Sequence, residues 1–289
     1  MESTPYFAYG SNLSAAHWAT WSAASGVPPD ALRPLEAAHL PDHTLAFNYF
    51  SQTHQAGAAN VVPELGQAVP GYLFQVSEAG RQALDRKEGH PRVYRRQPCV
   101  VLTAAGQEVQ AFTYVVTPEH ERPHTRPSVV YLGRIQQGYT DRGLQAAGAR
   151  LDAIAADRAA APSVAGLFVY GTLRQGEAFE PMLAASGVRS RRVAAAPGTM
   201  WSLGTYPGAT FWPAPAAQVI GEVVTLDRLA EALPALDRLE DFPGWDSPGG
   251  EYRRTLLLVG GRLWWAYEIQ QVGGAARMPG GDWLQRSER

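Results

Sequence analysis

The chain has 289 residues, of which 45% are hydrophobic and 18% are charged, and its formal net charge at pH 7 is -2. Because this length exceeds what one hydrophobic core usually serves, two domains are expected. The near-neutral charge argues against a nucleic-acid partner and against binding to an anionic membrane. The single cysteine, Cys99, excludes an intramolecular disulfide and a cysteine-based zinc site.

The sequence also lacks signals for membrane insertion or secretion. Its longest apolar runs are far too short to span a bilayer. Residues 1–10 lack the basic patch and the apolar core of a secretory signal. We therefore expect a cytoplasmic protein without a membrane partner.

The first half of the chain predicts several short strands and few helices. A buried strand at residues 6–8 leads into a glycine turn, and residues 77–87 have the pattern of a short helix. A tail at residues 128–156 has helical character. Further strands, rich in β-branched and aromatic residues, are expected at residues 44–47, 71–76, 97–102 and 109–116.

The second half repeats this order of elements. A strand at residues 167–170 again precedes a glycine turn, and residues 226–239 predict a helix. Further strands are expected at residues 220–225, 254–259 and 263–269. Many strands with few helices favour an α+β fold built on a mixed sheet or barrel.

Two short motifs occur once in each half and in the same order. Tyr-Gly-Ser-Asn at residues 9–12 matches Tyr-Gly-Thr-Leu at residues 170–173. Leu-Asp-Arg-Lys-Glu at residues 84–88 matches Leu-Asp-Arg-Leu-Glu at residues 236–240. The spacing between the motifs is similar in the two halves, so chance is a poor explanation.

Each glutamate motif is followed by Tyr-Arg-Arg, at residues 94–96 and 252–254. In the second half a segment at residues 242–250, here called the inserted segment, separates the two. We interpret the chain as a duplicated domain, with one copy at residues 1–158 and the other at residues 159–289. The two copies join in an alanine-rich stretch.

A chemistry shared by both halves must use residues that both halves contain. All seven histidines, the cysteine and the single lysine, Lys87, lie in the first half. This disfavours Ser-His-Asp, Cys-His, histidine–metal and lysine Schiff-base mechanisms as common ones. What recurs is a glutamate, Glu88 or Glu240, and a turn whose N–H groups can bind a carboxylate or a developing oxyanion.

Other repeated residues fit structural roles. Asp85 and Asp237 are expected to cap helix ends or to pair with neighbouring arginines. The arginines of the Tyr-Arg-Arg motifs are expected at the surface of strands. Cys99 fits a small residue of the core.

These motifs resemble the gamma-glutamylcyclotransferase superfamily, in which the glycine turn follows the first strand and a Leu-Asp-x-x-Glu motif carries the acid/base glutamate. The first half resembles the gamma-glutamylcyclotransferase branch, also through residues 127–131 and 138–144. The second half resembles the shorter gamma-glutamylamine cyclotransferase and plant AIG-like branch. The resemblance implies an α+β fold of two tandem small mixed β-barrel domains.

The resemblance also implies release of 5-oxoproline from a gamma-glutamyl amine or amino acid, through attack of the substrate's α-amine on its own γ-carbonyl. Glu88 and Glu240 would be the catalytic acid/base groups, and no metal or cofactor is implied. The implied substrate-binding residues, as numbered in this sequence, are Tyr6, Phe7, Ala8, Tyr9, Gly10, Ser11, Asn12, Leu13, Tyr94, Tyr131, Tyr170, Gly171, Thr172, Leu173 and Tyr252.

Two alternatives stay open. One or both halves would bind a gamma-glutamyl metabolite without turnover, because the inserted segment can reshape or close the pocket beside Glu240 and the second half lacks a counterpart of Tyr131. An amide or nucleotide hydrolase would use Ser11 as its nucleophile, but Thr172 replaces that serine in the second copy. The sequence specifies neither the amine of the substrate nor an oligomeric state.

Overall fold

The structure is a computed structural model that describes residues 4–211, 217–245 and 247–286. The chain forms two compact units. The first consists of Met1–Ala104 and Glu108–Ser163, and the second of Ala105–Gln107 and Val164–Arg289. Among the described residues, no helix is both long and apolar enough to cross a membrane.

The first unit is built on a closed five-stranded barrel. Around it the strands follow the order β1-β3-β2-β4-β5, and β1 closes the ring by pairing parallel to β5. Every other neighbouring pair is antiparallel. The strands are β1 (Tyr6–Ala8), β2 (Leu32–Ser51), β3 (Ala56–Val76), β4 (Tyr94–Thr103) and β5 (Glu108–Val116).

Strands β2 and β3 are much longer than the sequence pattern predicts. Prolines interrupt that pattern, and a proline cannot donate a ladder hydrogen bond. The pairing of β2 with β3 accommodates two of them at register shifts, one after Pro34 and one after Pro41. Such bulges bend and twist a strand, which lets a long hairpin follow the curvature of a barrel.

The described part of the first unit also contains four α-helices, of which the second carries the repeated glutamate. The Ser77 side chain accepts a hydrogen bond from the Gly80 N–H at its start, and Gly89 ends it with a φ of 66°, a value that favours glycine. Glu88 is therefore its last residue. The helices are α1 (Ala15–Ala24), α2 (Glu78–Glu88), α3 (Val129–Asp141) and α4 (Gly148–Ala155).

The second unit repeats the arrangement around the first strand. Its main sheet has the order β11-β12-β6-β10-β7, and β6 again lies between an antiparallel and a parallel neighbour. A second sheet has the order β13-β8-β9. The strands of the main sheet are β6 (Leu167–Val169), β7 (Val188–Pro197), β10 (Gln218–Leu226), β11 (Tyr252–Val259) and β12 (Arg262–Ile269).

The smaller sheet contains β8 (Thr199–Ser202), β9 (Pro207–Thr210) and β13 (Ala276–Met278). The helices of this unit are α5 (Glu180–Ala184) and α6 (Leu229–Leu239). Helix α6 precedes β11 as α2 precedes β4, and Glu240 directly follows the last residue of α6, whereas Glu88 is the last residue of α2. The predicted α+β class with mixed sheets is confirmed, and in the first unit the sheet closes into a barrel.

The inserted segment is anchored to the second unit by Arg254. This arginine is 1% exposed, and its guanidinium lies 5.4, 5.1 and 4.9 Å from the ring centres of Phe242, Trp245 and Trp265. Its Nη1 also lies 3.5 Å from Asp237 Oδ2. The predicted surface position is therefore wrong for Arg254, because ring and carboxylate contacts replace the water that burial removes.

We expect Arg254→Met to lower the free energy of unfolding by about 3 kcal/mol, since the change leaves a carboxylate without its buried partner and removes the cation from three rings. Urea unfolding followed by tryptophan fluorescence measures this. The matched control is Arg262→Met, because that guanidinium also lies over a ring, 5.6 Å from the centre of Trp264, but is exposed. An equal effect of both changes would contradict the prediction.

Candidate active sites

In the first unit, the glycine turn after β1 meets the end of helix α2. The turn continues as a short 3-10 helix, Ser11–Leu13, and closes with a backbone hydrogen bond of 3.0 Å to the Gly10 carbonyl. Asn12 Nδ2 donates to Glu88 Oε1 at 2.9 Å and to the Tyr6 hydroxyl at 2.9 Å. The predicted turn and the predicted glutamate are therefore in direct contact.

Two further predicted tyrosines reach the same place from β4 and α3. The Tyr94 hydroxyl donates to the Ala59 carbonyl at 2.8 Å, and the Ala59 N–H donates to the Tyr131 hydroxyl at 3.1 Å. Burial raises the pKa of Tyr131 to about 12, and hydrogen bonds with Ala59 and Ser11 oppose this only in part. Tyr131 is therefore protonated at ordinary pH and can donate to a ligand.

In the second unit, the corresponding residues surround a cavity of about 290 Å³. Its walls include turn residues 170–173, Glu240 and Tyr252. The Tyr252 hydroxyl donates to the Pro207 carbonyl at 2.8 Å, as its counterpart on β4 donates to a carbonyl. The sequence-predicted residues of this half therefore line one cavity.

The Glu240 carboxyl lines this cavity and is partly buried. Burial raises its pKa to about 8, and the charges of Glu251 and Asp237 add to the effect. Most of the carboxyl is therefore protonated at pH 7. It is suited to donate a proton there and to accept one at higher pH.

A chain of tyrosine hydrogen bonds supports the site in the first unit. The sequence motifs did not predict it. The Tyr9 hydroxyl donates to the Tyr114 carbonyl at 2.6 Å, and the Tyr114 hydroxyl donates to Asp85 Oδ1 at 2.7 Å. The same carboxylate oxygen lies 3.0 Å from Arg96 Nε. These contacts connect helix α2 to strand β5, and strand β5 to the glycine turn.

The second unit repeats this chain of contacts. The Tyr170 hydroxyl donates to the Tyr267 carbonyl at 2.7 Å, and the Tyr267 hydroxyl donates to Asp237 Oδ1 at 2.7 Å. Because Asp237 also pairs with Arg254, the predicted arginine-partner role of the repeated aspartates is confirmed. Comparing the two halves beyond the Tyr-Arg-Arg motifs would have shown that Tyr114 and Tyr267 also recur.

Three of the predicted binding residues of the first unit have completely buried side chains. Phe7, Ala8 and Leu13 are 0% exposed and pack within the barrel of the first unit. Their side chains hold the turn in place, and only their backbone groups can face a ligand.

The turn glycines keep space free beside the site. At Gly10, a methyl group would lie 3.8 Å from the Tyr131 hydroxyl, in the space between the turn and that tyrosine. At Gly171, it would lie 2.5 Å from Pro207 Cγ, which is closer than atoms can approach. The glycine of the second turn therefore permits the close approach of β9.

The inserted segment leaves the second cavity in place. Its residues Phe242 and Trp245 pack on Arg254, while the cavity beside Glu240 persists. In the described ranges, no group of three or more histidine, cysteine, aspartate or glutamate side chains is arranged to hold a metal ion.

Comparison with known proteins identifies the family. The sequence profile of the family described as "Gamma-glutamyl cyclotransferase, AIG2-like" matches residues 6–133 and again residues 167–285. The chain belongs to this family. The resemblance inferred from the motifs is thereby confirmed, and two matched stretches agree with a tandem arrangement.

Individual relatives cover about half of the chain each. A Vibrio cholerae protein named "Putative gamma-glutamylcyclotransferase" is 33% identical over 121 residues, which are 42% of this chain and 96% of that protein. A structure titled "Gamma-glutamyl cyclotransferase" is 26% identical with a TM-score of 0.46, covering 52% of this chain and 87% of its own. A crystal structure of an uncharacterized protein from Homo sapiens is 28% identical with a TM-score of 0.47. The match covers 53% of this chain and 89% of that one.

Proposed function

We propose that the chain is a gamma-glutamylcyclotransferase that releases 5-oxoproline from a gamma-glutamyl amine or amino acid. One observation carries this proposal. In each unit, a glutamate at the end of a helix lies beside the glycine turn that follows the first strand, through a hydrogen bond to Asn12 in one unit and across a shared cavity in the other. Membership of the family supports the same reaction type.

The reaction is an internal acyl transfer. Glu88 or Glu240 takes a proton from the substrate's α-ammonium group, and the freed amine attacks the γ-carbonyl carbon. The new carbon–nitrogen bond closes the five-membered ring, and the old bond to the leaving amine breaks as the same carboxyl returns its proton to that amine. The ring nitrogen loses its second proton, and the released amine takes up one proton to become an ammonium ion. Atoms and charges balance without a protein nucleophile.

The turn contributes position and charge stabilisation. A backbone hydrogen bond closes each turn. The N–H groups of the turn are proposed to bind the carbonyl oxygen of the substrate as negative charge develops on it. The proposed substrate-binding tyrosines, Tyr94, Tyr131 and Tyr252, fix the folded pose that brings amine and carbonyl together. The small-molecule substrate is the proposed partner, in a cytoplasmic setting.

The direct test is an assay of 5-oxoproline released by the full chain from a panel of gamma-glutamyl amino acids, dipeptides and amines. Release from at least one class, with the free amine formed in equal amount, is the expected result. No release from any member of the panel, by a chain shown to be folded, would overturn the proposal.

We expect Ser11→Ala to keep the rate of 5-oxoproline release within about tenfold of the unchanged chain. Its hydroxyl supports Tyr131 by a hydrogen bond, and a neutral hydrogen bond of this kind contributes about 1 kcal/mol. A nucleophilic serine would instead cost several orders of magnitude when removed. The measured kcat therefore separates the cyclotransferase from a serine hydrolase.

A second candidate function concerns the second unit alone, which would bind a gamma-glutamyl compound without turnover at neutral pH. The raised pKa of Glu240, about 8, favours this, because a protonated carboxyl cannot accept the ammonium proton. The full chain carrying Glu88→Gln tests it by calorimetric binding and by product release at pH 7 and pH 9. Two bound ligands per chain with no product at pH 7 would support the binding role, and turnover at pH 7 would refute it, whereas turnover at pH 9 alone is what the raised pKa predicts.

A further inference from the structure

The single lysine of the chain contacts the side chain that holds Glu88. Lys87 Nζ donates to Asn12 Oδ1 at 2.7 Å, while Asn12 Nδ2 donates to Glu88 Oε1 at 2.9 Å. Lys87 and Glu88 are neighbours on α2, and Asn12 lies on the turn, 75 residues from the lysine. The three side chains form a closed connection between the helix end and the turn.

These hydrogen bonds permit only one of the two possible orientations of the Asn12 side-chain amide. Its two N–H bonds go to Glu88 and to the Tyr6 hydroxyl, and its oxygen accepts from Lys87. If the amide turned over, its NH₂ group would face the lysine amino group, donor against donor, and its oxygen would face the glutamate carboxylate. Lys87 therefore determines which end of the amide Glu88 meets.

Groups from helices α1, α2 and α3 surround Lys87. His17 on α1 lies 3.4 Å away through Nε2, and the Trp21 ring centre lies 5.6 Å away. Burial and the nearby lysine lower the pKa of His17 to about 4, so this imidazole is neutral and its Nε2 can accept a hydrogen bond from Lys87. Burial lowers the pKa of Lys87, the charge of Glu88 raises it, and Arg134 on α3 lowers it.

Glu88 itself interacts electrostatically with five tyrosines in addition to its amide partner. They lie on β1, the turn that follows it, β4, β5 and α3, and all act on it as neutral groups because burial raises the pKa of each phenol. These are Tyr6, Tyr9, Tyr94, Tyr114 and Tyr131. Because these tyrosines are neutral, a change in the charge of Lys87 alters the electrostatic potential at Glu88.

The second unit has leucine at both corresponding positions. Aligning the repeated motifs places Leu173 at the position of Asn12 and Leu239 at that of Lys87. Both leucines line the cavity that contains Glu240. The polar pair has thus been replaced as a unit by an apolar pair, which is what a coupled function of the two residues predicts.

We propose that Lys87 is a positioning residue for the first site, which acts through Asn12 to aim the amide N–H at Glu88 and hold that carboxylate ready to accept the substrate's proton. The second site lacks this lysine–asparagine pair and has two leucines in its place. This inference rests on the proposed function.

The test uses the full chain with Glu240→Gln, so that only the first site turns over. In this background, Lys87→Met is expected to lower kcat at least about tenfold and to move the acidic limb of the pH–rate profile upward by about one pH unit. Lys87→Arg, which keeps the charge and the donor, is expected to retain the profile. Arg86→Met, an exposed cation of the same helix, is the matched control.

A double-mutant cycle identifies the path of the effect. Asn12→Leu alone is expected to lower kcat as Lys87→Met does, and the two changes together are expected to cost little more than either one. Additive losses, or a Lys87→Met chain with unchanged kcat and unchanged pH profile, would overturn the inference. If Lys87→Met fails to fold, Asn12→Leu and Lys87→Arg decide by the same criteria.

Failure of the proposed function gives a different result. If the Glu240→Gln chain and the unchanged chain both release no 5-oxoproline, the proposed function and this inference fall together. If the Glu240→Gln chain is active and responds to Lys87 as a merely structural residue would, with lower thermal stability and an unmoved pH profile, only the positioning role falls.

Discussion

A chain with glutamine at both Glu88 and Glu240 is expected to release 5-oxoproline at least about a hundredfold more slowly than the unchanged chain, because general acid–base catalysis contributes roughly 10²–10⁴ to a rate. Glutamine keeps the size and hydrogen-bonding shape of the side chain but can carry no proton between the two nitrogens. Product formation measured by chromatography, with binding measured separately by calorimetry, distinguishes lost catalysis from lost affinity.

The single variants divide this effect between the two units. Glu88→Gln is expected to remove most of the activity at pH 7, whereas Glu240→Gln removes activity mainly above pH 8, where its carboxyl can accept a proton. The controls are Glu78→Gln on α2 and Glu231→Gln on α6, exposed residues of the two helices that lead to the glutamates. Full activity of the double variant would mean that neither carboxyl takes part.

Glu240→Gln is also expected to stabilise the second unit at high pH and to leave its stability unchanged at low pH. An exposed glutamate in the unfolded chain has a pKa near 4.5, whereas the folded value is about 8. Between these values folding takes up a proton, so the stability of the unchanged protein falls as the pH rises through this window. Glutamine imitates the protonated carboxyl at every pH and removes this loss.

The gain from glutamine is therefore near zero at pH 4 and reaches its maximum above pH 8, on the order of a few kcal/mol. The difference in melting temperature between variant and unchanged chain, measured at pH 4, 7 and 9, reports it, since other titrating groups cancel in the difference. Glu231→Gln, an exposed residue of the helix that precedes Glu240, serves as the control. A difference that does not vary with pH would show that the cavity does not perturb this carboxyl.

Local sequence patterns were sufficient to predict the parts of each unit that depend on neighbouring residues. The helix predicted at residues 77–87 is α2, Glu78–Glu88, because a serine cap and a following glycine mark its two ends. The short strands before the glycine turns occur as predicted at Tyr6–Ala8 and Leu167–Val169. The duplication strengthened the prediction of the functional residues, because coincidence is a poor explanation for two motifs that recur in the same order.

The lengths of β2 and β3 could not be predicted in this way. Residues near Pro34 and Pro41 belong to β2 only because bulges in its pairing with β3 take up the irregularity. That pairing joins residues far apart in the chain, so no local window contains it. The burial of Arg254 escaped prediction for the same reason, since Trp265 and the inserted segment reach it from other parts of the chain.

The sequence alone determined the duplication, the family resemblance, the α+β class, and the residue types that both halves share. Only the tertiary structure decided what surrounds each glutamate. Asn12 and Lys87 meet across 75 residues of chain to hold Glu88, whereas Leu173 and Leu239 enclose Glu240 and help to raise its pKa to about 8. The proton affinity of a carboxyl depends on the charges, dipoles and solvent within a few ångströms, and folding sets those neighbours.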